Sequence, residues 1–164
     1  MATVPAPVLA PYWPIVYVRG YAMTPAEIAD AVSSPYMGFN VGATKLRQAW
    51  DGQVRRHVFE SPLVRLMKDC GYRDIYADGT EIVGPVPARS VVIYRYYDNA
   101  DPDLGAGKVP SIVAAAEGLR DLVHRLRVQV CGTDAEALAQ FKVHLVAHSM
   151  GGLVCRCFLQ NDSV

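Results

Sequence analysis

The chain has little that would commit it to nucleic acid, a membrane span or a metal. Its 164 residues hold sixteen basic and sixteen acidic side chains, so no excess positive charge is available for a polyphosphate. Nucleic acid is therefore not an expected partner. There are only four cysteines (Cys70, Cys131, Cys155 and Cys157), and no Cys-x-x-Cys pair. Those spacings exclude a disulfide framework and offer no zinc site, so the expectation is buried free thiols and no metal. The first eighteen residues carry no charge, but Pro5, Pro7, Pro11 and Pro14 interrupt them and no Lys or Arg precedes them. A spanning helix needs continuity and a secretory leader needs a basic start; this stretch has neither. The expectation is a soluble chain with no transmembrane segment, cytoplasmic by default. No repeat, charge block or flexible linker divides residues 1–164, which read as a single domain.

What is present is apolar. Hydrophobic residues make up 51% of the chain, enough for a core. Three short runs, Ile15-Val16-Tyr17-Val18, Val91-Val92-Ile93-Tyr94 and Val143-His144-Leu145-Val146, read as strands covered on both faces, the mark of a parallel sheet. Between the last two, Ile112, Ala116, Leu119, Val123, Leu126 and Val130 recur at spacings of three and four. That pattern predicts a long amphipathic helix ending at Gly132, followed by a shorter one opened by a Thr133/Glu136 capping box. The connection over residues 21–90 is long. It is expected to hold a helix begun by Ser61-Pro62 and closed by Gly71, with turns at Asp78-Gly79 and at Gly84-Pro85-Val86-Pro87. The fold class that follows is α/β, a mostly parallel sheet with flanking helices.

The chemistry is concentrated in Lys142-Val-His-Leu-Val-Ala-His-Ser-Met-Gly-Gly-Leu-Val154. A strand ends near Ala147 and a helix begins just past Ser149, so the chain must reverse sharply around that serine. Such a turn strains its central residue and crowds the positions two before and two after it. Ala147 and Gly151 are small enough for those places, and Gly152 is expected to let the helix lie close to its strand. Ser149 Oγ would stand at the C-terminal edge of the sheet, where open α/β folds bind ligands. The Met150 amide, at the N-terminus of the new helix, would face a developing oxyanion. The plain alternative is a serine in an ordinary glycine turn.

Ala-His-Ser-Met-Gly-Gly resembles the Gly-x-Ser-x-Gly nucleophile elbow of the α/β-hydrolases, in its lipase and esterase form. Upstream, Pro14-Ile-Val-Tyr-Val-Arg-Gly-Tyr21 is similar to the family's early strand and the His-Gly that follows it, with Arg19 in place of the histidine. The resemblance implies an oxyanion hole formed by the amides of Met150 and Tyr21, with His148, Gly20 and Arg19 lining the site. It implies a small-molecule or lipid ester as substrate, hydrolysed through an acyl-enzyme on Ser149 without a cofactor. It also places the 143–146 strand beside Ile15–Val18, with the 91–94 strand on the other side of the latter.

In that family the acid and the histidine of the triad follow the serine. Only fifteen residues follow Ser149 here, none of them histidine. Asp162 would lie about 19 Å along a continuous helix, too far to be a partner. His57, His124, His144 and His148 all precede the serine; His144 reads as a core residue and His124 as a surface one. The expectation is therefore the N-terminal part of a longer domain, an incomplete hydrolase core with an exposed sheet edge prone to self-association. A non-catalytic α/β-hydrolase-fold binding or interaction protein is the alternative. Tyr36, Met37, Phe39 and Trp50 are candidates for an acyl pocket, or more simply for packing the long connection against the sheet. Gly105-Ala-Gly-Lys108 does not make a phosphate loop, because Pro102 and Val109 occupy its required positions.

Overall fold

The computed structural model describes residues 12–20, 44–58, 62–75, 84–103 and 105–164. Their elements run β1 (Ile15–Val18), β2 (Thr44–Gln48), β3 (Val54–Val58), α1 (Pro62–Cys70), β4 (Arg73–Asp74), β5 (Ser90–Ile93), α2 (Ile112–Cys131), α3 (Ala135–Gln140), β6 (His144–Ala147) and α4 (Gly151–Gln160). A 3-10 turn, Tyr96–Ala100, lies between β5 and α2. Four strands form one sheet in the order β4-β5-β1-β6, with every pair parallel. Helices flank it, and the class is α/β. Ile15 pairs with Val91 on one side and with His144 on the other, so β1 is central and the strand order matches the expected one.

β1 and β5 are buried along their whole length, which explains their unbroken apolar sequence. Val16 and Val18 are fully buried, each contributing about 1.5–3 kcal/mol relative to exposure. α2 follows the predicted periodicity: Ala116, Leu119, Leu126 and Val130 lie in the core. Ile112 is the exception, exposed in the first turn beside the Ser111 cap, whose hydroxyl accepts the Ala114 N–H. Tyr94 ties the end of β5 to α2 by donating its hydroxyl to Ala115 O at 2.8 Å. Burial, with a smaller push from Asp121, raises the Tyr94 hydroxyl to about 12.

Several expectations need correction. The short helix is capped by Asp134, whose carboxylate accepts the Ala137 N–H at 2.9 Å; Thr133 is not the cap. β6 is exposed at three of its four residues, so His144 is a surface residue and not a core one. The reason is its place at the edge of the sheet, where only β1 pairs with it among the described residues. Of the cysteines, Cys131 and Cys155 are buried and their thiols are pushed up by burial, Cys157 is half-buried, and Cys70 is exposed. The long connection also contains a feature the periodicity did not signal, the antiparallel hairpin β2–β3. Trp50, at its turn, is 98% exposed and so neither packs the connection nor lines a pocket. Tyr36, Met37, Phe39, Ser61 and the Asp78-Gly79 turn lie outside the described residues.

Candidate functional site

The site is built where β6 ends and α4 begins. His148 donates its N–H to Val18 O at 3.0 Å, extending the β1–β6 ladder one step beyond the strand. The chain then reverses at Ser149, which adopts φ 54°, the one positive φ outside glycine among the described residues. The left-handed conformation costs a side-chain-bearing residue about 1–3 kcal/mol and persists where the surroundings impose it. Met150 returns to helical dihedrals, and α4 starts at once, with Gly151 N–H on His148 O, Gly152 N–H on Ser149 O and Leu153 N–H on Met150 O. Those bonds are what impose the turn. Ser149 is exposed, so its hydroxyl stands free at the C-terminal end of a parallel strand.

Two glycines make the turn compact. A methyl on Gly151 would collide with Val18 O and Arg19 O, backbone atoms of the adjacent strand end. A methyl on Gly20 would collide with the Ser149 side chain and lie 2.9 Å from His148 O. Gly20 is thus the contact between the end of β1 and the serine. Gly152 has open space around it, so it does not bring helix and strand together as expected; Gly151 alone does so. Ala147 is exposed, and the crowding expected two residues before the serine is not enforced there.

A residue that the sequence did not single out holds this arrangement from below. Tyr96 is buried and donates its hydroxyl to Arg19 O at 2.7 Å. That carbonyl is one of the two against which Gly151 packs, so Tyr96 fixes the Arg19–Gly20 peptide between β1 and the elbow. Its signal in the sequence was weak, since Tyr94, Tyr96 and Tyr97 crowd together after β5 and nothing distinguishes them by pattern. Beyond Tyr96, Asp98 pairs with Arg95 at 2.5 Å; burial raises its carboxyl, and the Arg95 charge opposes that rise.

Of the predicted site residues, Ser149, Met150, His148, Gly20, Arg19 and Gly151 converge on this corner. Tyr21 lies outside the described residues. The Met150 N–H, at the start of α4, meets no acceptor among the described residues. His148 presents its backbone to the site while its side chain is exposed. His124 is exposed on α2, and His57 lies on β3 opposite Lys45. Asp162 is past the far end of α4. Among the described residues, no side chain hydrogen-bonds Ser149 Oγ, and no group of three metal-ligating side chains forms. Nor is any described helix long and apolar enough to cross a membrane. Compared with protein-family models, with curated proteins and with solved structures, the chain matches none of them.

Proposed function

We propose that the chain is a serine hydrolase of carboxylic esters, of lipase or esterase type, with Ser149 as nucleophile. Ser149 Oγ adds to the acyl carbonyl and gives its proton to a base brought in from beyond the described residues. The resulting oxyanion is held by the Met150 amide and by that of Tyr21. Collapse of this intermediate breaks the ester C–O bond, the alcohol leaves with the proton, and water then releases the acid from the acyl-enzyme. The observation that carries this reading is the positive φ of an exposed serine between a parallel strand and a helix start. A serine turn in a purely structural role could relieve that strain with glycine.

A second reading, an α/β binding or interaction protein that keeps the turn as architecture, draws on one fact: no described side chain hydrogen-bonds Ser149 Oγ. Two measurements separate them. In Ser149→Cys, pH-dependent alkylation of the new thiol is expected to give a midpoint about one unit below the ordinary 8.5, because the helix N-terminus favours the thiolate. An ordinary midpoint would sink the oxyanion site under either reading. Fluorophosphonate labelling of the native protein at Ser149, abolished in Ser149→Ala, selects the hydrolase; a lowered thiol midpoint without labelling selects the binding protein. We propose a cytoplasmic location, on the sparse cysteines of the sequence, and self-association through β6, which pairs only with β1 among the described residues.

A further inference from the structure

We propose that the β2–β3 hairpin docks the protein on an anionic phospholipid surface, with Trp50 entering the headgroup layer. This inference does not depend on the hydrolase reading.

The hairpin is a two-stranded sheet of its own, with Gln48 paired to Val54 and the turn 49–53 between them. The turn is closed by its own bonds: Ala49 N–H to Gln53 O at 2.8 Å, Gly52 N–H to Ala49 O at 3.0 Å and Gln53 N–H to Asp51 Oδ1 at 3.1 Å. At its tip Trp50 is 98% exposed, and Val54, at the start of the return strand, is 65% exposed. An indole held in water on a closed turn loses the burial that its large apolar surface would otherwise gain. Trp is the side chain that gains most at a bilayer interface, where its ring is apolar and its N–H stays wet.

The charges behind the tip point to the same partner. Residues 44–58 contain Lys45, Arg47, Arg55 and Arg56 against a single carboxylate, Asp51, although the whole chain is neutral. The Asp51 carboxylate accepts a bond from within the turn. Arg47 is paired directly opposite Arg55, and Lys45 opposite His57. Alternation along the strands therefore sets these four positions on one face. Like charges directly opposite one another destabilise a sheet, so this register gains nothing for folding. Paired positions 47 and 55 lie about 10 Å along the hairpin from position 50 at the usual strand rise, and basic residues near an anionic surface are attracted to it. A single-stranded nucleic acid is the less suited partner: it needs several aromatic platforms, and Trp50 is the one aromatic residue of 44–58.

The test uses the full 164-residue chain with vesicles of pure phosphatidylcholine, or of phosphatidylcholine with 30 mol% phosphatidylglycerol, read by co-sedimentation and tryptophan fluorescence. Binding to the anionic vesicles is expected to be about tenfold tighter or more, to weaken with salt, and to shift Trp emission to the blue. Trp13 is the only other tryptophan, and it is half-buried, so the shift should vanish in Trp50→Phe. Trp50→Ser should weaken binding, and the double variant Arg47→Gln/Arg55→Gln should lower it by roughly tenfold or more, with the circular dichroism of each variant unchanged and its Tm no lower. Equal binding to both vesicles, no binding, a blue shift that survives Trp50→Phe, or retention of single-stranded RNA in place of vesicles would each overturn the proposal.

Discussion

At Ser149 the chain accepts a positive φ on a residue with a Cβ, and the neighbouring backbone yields the space. Gly20 does so against the serine and Gly151 against the Val18 and Arg19 carbonyls. Gly151→Ala is therefore expected to cost about 3 kcal/mol, the upper end for overpacking, because backbone oxygens cannot rotate away as a side chain can. For a chain of this size, that is a fall in Tm of roughly 6–12 °C by calorimetry. Gly152→Ala is expected to be neutral or to raise Tm slightly, since its Cβ meets nothing and alanine favours the helix. Equal losses at the two positions would show that helix propensity, not close approach, governs this corner. From sequence, both glycines suit a tight turn. Only coordinates distinguish the one against a carbonyl from the one against solvent.

At the scale of elements, periodicity was a sound guide where one face of an element is buried. Ala116, Leu119, Leu126 and Val130 marked α2, and Pro62 and Gly71 bounded α1, the latter at φ 68°. Caps were less legible, because Thr133 and Asp134 are both good cap residues and adjacent. The structure assigns the role to Asp134, so Asp134→Ala is expected to lose about 1 kcal/mol in denaturant unfolding and Thr133→Ala close to nothing. The reverse ranking would contradict the bond from Ala137 N–H. The hairpin escaped notice for a different reason. Its strands carry Lys45, Arg47, Arg55, Arg56 and His57, so they show no apolar alternation, and Asp51-Gly52 was the one turn signal they offered.

For the molecule as a whole, the sheet order decides how it meets its surroundings. His144 and His148 direct their amides at β1, so Leu145 and Ala147 present N–H and C=O groups to the far side of β6, where no strand pairs among the described residues. β4, at the other edge, is only two residues long. An edge strand of four residues with Val146 38% exposed, and no proline or charge within it, is a template for another strand. The chain is expected to self-associate in sedimentation velocity as its concentration rises, and Val146→Lys should return it towards monomer. A wild-type chain that stays monomeric throughout would remove β6 from consideration as an interface.

The sequence by itself determined the elements that bury an apolar face, and the small residues around one serine, because both follow from local spacing and steric size. It therefore marked β1, β5, α2, α4 and the Ser149 turn. The tertiary structure alone decided what depends on contacts between distant segments. It set Tyr96 against the Arg19 carbonyl 77 positions away in the chain, left β6 at an edge with His144 in solvent, and put Trp50 at the tip of a basic hairpin. Local pattern encodes which face of an element is apolar; it does not encode what arrives to cover it.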